Sequence, residues 1–252
     1  MKSPLKKNIP FSSLAQVKKI IKPKSKISSL FFYTGELEFQ LSRLEHTLIA
    51  HTNNRFIFEF WQTFLTEPDR FIDCVENMLS FLSDYELTIF QRNWFQNNDP
   101  FARSVLFFLL HNSSSISQVS CGDVNKNRIT PIMLSRLRSF KVEKLFPFFD
   151  NCSNVLDGLS TVGDVDYVIL PIGNYSLNLF EAGKNKGPEM YTFRHKEICD
   201  RIKDLDKKWF LLYKNHPALF TMYAGFNITM VDKYGRLAST KDACEELIIA
   251  NF

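Results

Sequence analysis

Apolar positions along this chain recur at two spacings, and the regions that use each spacing separate cleanly. Residues 11–21 place Leu14, Val17 and Ile21 at helical intervals behind Ser12 and Ser13, which can cap the first turn, and Lys22-Pro23 stops the pattern. Residues 27–33 form a short apolar run of strand composition that ends at Thr34-Gly35. A helix is predicted over 36–44, a second strand over 46–50, and an aromatic-rich helix over 55–65 after the break at 51–54. From 68 to 110 the spacing is helical almost throughout. Phe71, Val75, Met78, Leu79 and Leu82 make one stripe, residues 86–95 another, and Asp99-Pro100 opens a third helix with Asp99 as cap and Pro100 at its first position. Beyond residue 145 short apolar runs return. Strands are predicted at 154–156, 167–170, 209–213, 227–231 and 246–250, with helices at 192–205 and 218–224.

Between these regimes, residues 111–131 follow neither spacing. The segment is polar and rich in turn formers, and its 122–127 portion reads as a hairpin or extended loop. A polar loop of this length inside a compact domain is usually functional or mobile. Helix resumes at 134–140 with Arg136, Arg138 and Lys141 exposed. The result is two α/β portions, 1–65 and 146–252, around a helical insert at 66–145 that carries the polar loop. One sheet with helices on both faces is the simplest arrangement.

In such a sheet, ligands sit just past the carboxyl ends of the strands. The strand predicted at 167–170 runs into Pro171-Ile172-Gly173, so its tip offers no acid, base or nucleophile. Composition adds little: 252 residues, 45% hydrophobic and 23% charged, is ordinary for a globular chain. Charge placement adds more. Net charge is +4, yet the first 35 residues hold eight Lys and no Asp or Glu, which suits an anionic partner or a solvated terminus. Five dispersed cysteines, none in a C-x-x-C pair, suggest an intracellular, reducing compartment and argue against zinc. No apolar run of membrane-spanning length appears, so no membrane partner is expected.

The order of these features resembles the Dam-type DNA adenine-N6 methyltransferases. The family's F-x-G-G cofactor loop is similar to Leu30-Phe-Phe-Tyr-Thr-Gly35. Its strand ending in N-D-x-N is similar to Leu48-Ile-Ala-His-Thr-Asn-Asn54. Its helix leading to a DNA-reading hairpin looks like residues 99–113, with 125–131 similar to the hairpin's exit. Its terminal E-L-L-I-x-N-Y strand is similar to residues 245–252, the best single match. The catalytic D-P-P-Y tetrapeptide would fall on Leu170, Pro171, Ile172 and Gly173, and the S-N-H-D strand end on Tyr213-Lys-Asn-His216. The resemblance covers residues 9–252 and rests on order, no motif being specific alone. It implies a Rossmann-like S-adenosylmethionine-dependent methyltransferase fold with a helical target-recognition insert. It also implies a cofactor pocket at Phe32, Thr34, Gly35, His51 and Thr52, and nucleic-acid contacts from Asn112, Asn125, Lys126, Asn127, Arg128, Arg136 and Arg138.

Departures from the family fall on the chemistry. Leu170 cannot accept the adenine amino hydrogens as the family's Asp does, and Gly173 has no ring to stack on a flipped base. His51-Thr52 replaces the ribose-binding acid, and residues 10–15 lack the glycines and lysine of the family's Y-x-G-G-K segment. Three losses at one pocket lead to the expectation of a catalytically inactive DNA adenine methyltransferase-like protein. It would hold no cofactor and no metal, and would bind DNA or serve as a subunit of a nucleic-acid complex. Two alternatives stand beside it. One is an active, divergent enzyme that uses S-adenosylmethionine, with or without a partner. The other is a purely structural assembly subunit, whose interface would be Phe-rich faces such as Phe56, Phe58, Phe60 and Trp61, or Phe146, Phe148 and Phe149. Other chemistry-bearing residues have plainer readings: His51 as a turn histidine, Asn215-His216 as a helix cap, Asp164 and Asp166 as loop and cap residues.

Overall fold

The computed structural model describes residues 3–5, 12–52, 54–140, 148–150, 159, 162–175 and 194–252. The strand expected at 154–156 lies outside them. The described elements sort into two compact units.

The sheet unit carries α1 (Leu14–Ile20), β1 (Lys26–Ser29), α2 (Glu36–Ser42), β2 (Thr47–Thr52), β3 (Phe148–Asp150), β4 (Tyr167–Gly173), α8 (His195–Lys203), β5 (Lys208–Lys214), α9 (Pro217–Met222), β6 (Asn227–Val231) and β7 (Glu246–Ala250). Its strands form one sheet in the order β3-β2-β1-β4-β5-β7-β6. The first five are mutually parallel, and β7 inserts antiparallel between β5 and β6. That order, reversing direction of travel between β1 and β4, is a doubly wound, Rossmann-like arrangement with an antiparallel β7. Strands buried on both faces need continuous rather than alternating apolar sequence, and β4 and β7 are buried at every position. Ile27, Leu48, Tyr167, Ile169, Phe210, Leu212 and Ile248 pack with Val17, Leu37 and Leu41 of α1 and α2 in one core.

Two sequence expectations change in this unit. Phe148–Asp150 forms an edge strand that periodicity does not reveal, pairing through Phe148↔Ala50 and Asp150↔Thr52. The central strand does not stop at Leu170. β4 continues through Pro171 and Ile172 to Gly173, pairing with β5 as far as Gly173↔Tyr213 across a bulge. Proline is tolerated because β1 pairs with β4 only up to Ser29↔Ile169, so Pro171 occupies a position with a strand neighbour on one side.

The helical unit carries α3 (Arg55–Thr66), α4 (Pro68–Phe81), α5 (Asp84–Asn93), α6 (Pro100–Ser113) and α7 (Pro131–Arg138), with single 3₁₀ turns at Trp94–Gln96 and Lys126–Arg128. Asp99 caps α6 as sequence predicts, whereas Ser13 at the start of α1 makes no side-chain capping bond. Asn54 Oδ1 accepts from the amides of Phe56 and Ile57, and Asp99 Oδ1 accepts from that of Phe101. Ser83 and Glu86 form a reciprocal capping box. The segment of this unit that holds its helices starts at Asn54, so α3 groups with them rather than with the portion at 1–65. Its aromatic face explains this: Phe60, Trp61 and Phe64 contact Phe71, Phe107, Phe108 and Phe140. Phe56, Phe60 and Trp61 are therefore core residues, not an interface. Arg103 is buried, joined to Glu59 by two hydrogen bonds and to the Asn97 carbonyl by a third, which offsets much of its desolvation. Among the described residues no helix is long and apolar enough to cross a membrane.

Candidate functional site

The carboxyl ends of β1, β2, β4 and β5 are where an open parallel sheet of this order holds ligands. β1 gives way to Leu30, Phe31 and Phe32, all buried, and the Phe32 amide donates to the His51 carbonyl at 2.9 Å. The chain then turns at Gly35, whose φ of 71° favours glycine. This is the one glycine kept from the expected cofactor loop, but it does not leave an open cradle. A Cβ added there would lie 2.3 Å from Phe39 Cε2 and 2.9 Å from Phe32 Cζ. The two rings meet edge to face at 5.9 Å and are almost wholly buried. Thr34 is half-buried beside them. At the end of β2, His51 and Thr52 are buried, and burial holds the His51 imidazole below its usual pKa. The expected pocket residues are thus brought together by β1 and β2, but aromatic rings crowd the glycine and a neutral imidazole stands where a ribose-binding carboxylate would.

Just inside this corner is a group that sequence reading passed over. Glu38, on the first turn of α2, is only 3% exposed and accepts from Ser29 Oγ at 2.7 Å. Burial raises its pKa to about 7, with the Ser29 bond opposing the shift and Glu36 adding to it. The signal for it was an acid between Leu37 and Leu41 on a helix face that must meet the sheet.

Leu170, Pro171, Ile172 and Gly173 are all buried within β4, so the tetrapeptide slot lies inside the sheet. The tip of β4 is Asn174-Tyr175, and it does carry chemistry. The Tyr175 ring centroid lies 4.4 Å from His195, the first residue of α8, and 4.4 Å from His216, the cap of α9. His216 accepts the Ala218 amide, the capping role expected of it. His195 Nδ1 lies 3.0 Å from the Tyr213 hydroxyl. Burial pushes the Tyr213 phenol well above its ordinary pKa, with Tyr223, Cys199 and Tyr175 contributing. That phenol therefore keeps its proton, and which of the two groups donates across the contact with His195 follows the imidazole tautomer. The Cys199 thiol, also pushed up by burial, donates to the Met222 carbonyl. This layer holds a phenol and a thiol beside two imidazoles and the face of Tyr175. Asp166, at the opposite end of β4, accepts the Lys26 amide at 2.8 Å, and Asp164 pairs with Lys207, loop roles as expected.

The residues expected at nucleic acid all lie in the helical unit, but in different states. Asn112 is fully buried, and its Nδ2 donates to the Phe108 carbonyl, so it is not presented to a ligand. Asn125 Oδ1 accepts the Asn127 amide, starting the 3₁₀ turn. Lys126 Nζ donates to the Leu82 carbonyl at 2.8 Å. Arg128 Nη1 donates to the Ser113 and Asp123 carbonyls at 2.9 and 2.6 Å. Arg138 is exposed and paired with Glu76. Asn127 and Arg136 are exposed. The loop is a hairpin-like excursion closed by the Ser114↔Val124 and Gln118↔Cys121 bridges, and two of its cations are used to hold its shape. Among the described residues no group of three or more metal-ligating side chains converges.

No protein-family model matches the chain, and no curated protein matches it. Among solved structures, TehB from Haemophilus influenzae aligns over 96% of this chain and 61% of its own, at 10% identity and a TM-score of 0.37. This chain therefore spans less than two thirds of that neighbour's length, and at this TM-score the likeness adds nothing to the sheet order, on which the assignment of a Rossmann-like fold rests.

Proposed function

We propose that the protein is a catalytically inactive DNA adenine methyltransferase-like protein that binds DNA without transferring methyl groups. The observation that carries this reading is the crowding of Gly35 by Phe32 and Phe39 at the end of β1. A nucleoside cofactor needs that glycine so that its own atoms can approach the backbone closely. Here the approach is taken by protein rings. Support comes from β2, where His51 and Thr52 replace the carboxylate, and from β4, where no carboxylate stands at the strand end. The decisive experiment is calorimetric titration with S-adenosylmethionine, run beside a labelled-methyl transfer assay on duplex DNA. The expected outcome is no binding heat up to about 1 mM cofactor and no labelled DNA. Saturable binding together with label on adenine would overturn the reading.

One observation favours a second reading, an active divergent methyltransferase. Asn174-Tyr175 places an amide and an aromatic ring at the true tip of β4, the two kinds of group that hold and stack an extruded base. Against it, the Tyr175 ring already has His195 and His216 at stacking distance. If this second reading holds, Tyr175→Ala abolishes methyl transfer while cofactor binding heat is retained.

A further inference from the structure

The turn that follows β6 holds an aromatic ring out in solvent beside a run of lysines. Asp232-Lys-Tyr-Gly-Arg236 is locked from within. The Asp232 amide donates to the Arg236 carbonyl, and the Gly235 amide donates to the Asp232 carbonyl. Asp232 Oδ1 accepts the amides of Tyr234 and Arg236, and its Oδ2 accepts from Arg236 Nε. Both oxygens of the turn's acid are therefore engaged within it. Gly235 has a φ of +82°, and a Cβ there would lie 2.7 Å from the Ser12 carbonyl oxygen, so glycine lets the turn seat this closely on the start of α1. Gln16 Nε2 fixes the seat by donating to the Gly235 carbonyl at 2.7 Å. Tyr234 consequently stands 69% exposed on a tightly bonded backbone, with Lys233 Nζ and Arg236 Cζ each 5.0 Å from its ring centroid.

The same seat joins this ring to the basic start of the chain. Ala15 lies against Gly235, and Ala15, Lys18 and Lys19 share the exposed face of α1. Lys22, also exposed, follows where the helix has ended. Among the described residues no carboxylate pairs with Lys18, Lys19 or Lys22, whereas Lys24 meets Glu45. The strip thus offers unneutralised cations next to a displayed π-face. Its charge calls for a polyanion, and the ring narrows the choice. Phosphates can meet the lysines, and a base that has left its stack can lie on Tyr234 with cations at its margin. A membrane-surface helix would carry apolar side chains on its outer face to insert, whereas Leu14 and Ile20 of α1 pack against the core. We infer that Tyr234, with Lys18, Lys19 and Lys22, forms a binding surface for an unpaired stretch of DNA, phosphates on the lysines and one base stacked on the phenol ring. This surface presupposes the DNA binding proposed above and adds to it a face and a form of DNA.

Fluorescence anisotropy titrations of the full chain test this, with a labelled oligothymidylate of about 16 nucleotides and a duplex of the same length. Tyr234→Ala is expected to weaken single-strand binding about five- to a hundredfold. It is expected to leave duplex affinity and the slope against salt unchanged, and to keep the wild-type circular dichroism spectrum, since the ring is in solvent. Tyr234→Phe is expected to bind as the wild type does, because stacking needs the ring and not the hydroxyl. Replacing Lys18, Lys19 and Lys22 together with Ala is expected to lower the single-strand salt slope by about two units. Equal single-strand binding by wild type and Tyr234→Ala overturns the inference. An equal loss on both forms of DNA does so too, as does a Tyr234→Phe variant as weak as the alanine one. If the wild type still binds duplex with a salt-dependent affinity in those cases, the DNA-binding reading stands and only this surface falls. Binding to neither form removes both. Leu237 beside the turn is 67% exposed, so vesicles containing phosphatidylserine make a second arm. Vesicle binding that depends on Tyr234, with no such dependence on the single strand, overturns the inference and reassigns the patch to a membrane surface.

Discussion

Among the described residues, Glu38 carries a pH signature in the neutral range. Its folded pKa of about 7 stands above the ordinary carboxylate value because burial disfavours the charged form. Between the unfolded value and about 7 the folded state therefore binds more protons than the unfolded one. The stability that protonated Glu38 contributes is fully present below the unfolded pKa and is lost as pH rises through about 7. Replacing it with Gln keeps an acceptor for Ser29 Oγ and removes the titration. Glu38→Gln is expected to be more stable than wild type at pH 8, by on the order of 3 kcal/mol for a shift of this size, and to show a flatter stability profile between pH 5 and 8 in urea titrations. A variant whose stability tracks the wild type at every pH would mean that Glu38 is ionised or solvated in the folded protein. Sequence shows the acid but not its state. Whether residue 38 faces water or the sheet depends on how α2 lies against Ser29, a contact nine residues away that helical spacing alone does not define.

The elements divide into those that local chemistry specifies and those set by neighbours. Strands 227–231 and 246–250 are found at the ends that spacing predicts, and Asp99-Pro100 opens α6 as its cap and first residue dictate. β3 and the extension of β4 are different. Phe148–Asp150 is a strand because β2 offers it a free edge, and three residues carry no period to read. Pro171 and Gly173 read as a break when a strand is assumed to be paired on both sides, and they cease to be one where β1 has ended. That correction moves the tip to Asn174-Tyr175, so the site looked emptier in sequence than it is. The polar loop was also half-readable: its turn formers show that it leaves the helix, but not that Arg128 is spent on closing it. From the bonds of Arg128 to the Ser113 and Asp123 carbonyls, Arg128→Ala is expected to cost about 1–3 kcal/mol by leaving partly buried acceptors unmade. Faster amide exchange confined to residues 114–128 is the accompanying measurement. Wild-type protection in that segment would show that the bridges alone hold the loop.

At the scale of the whole molecule the question is where DNA phosphates would be neutralised. Sequence points to the loop cations, and to the lysines before residue 35. The structure separates these candidates. Lys126 Nζ and Arg128 donate to main-chain carbonyls, and Arg138 is paired with Glu76. These bonds take up part of each group's donor capacity and tie its position to the loop or to Glu76. Lys18, Lys19 and Lys22 on the sheet unit, and Arg136 on α7, are exposed. Each phosphate contact releases condensed counterions, so the slope of log affinity against log salt falls in magnitude by roughly one for every contact removed. If the protein binds duplex DNA as proposed, a Lys18→Ala, Lys19→Ala, Lys22→Ala variant is expected to lose two to three units of slope, and Arg136→Ala about one. Lys126→Ala is expected to leave the slope nearly unchanged and to act through loop stability instead. Fluorescence anisotropy titrations at several salt concentrations read all three. Weak, salt-insensitive binding by wild type and every variant would remove DNA as the partner. A slope lost only with Lys126 would return phosphate contact to the loop.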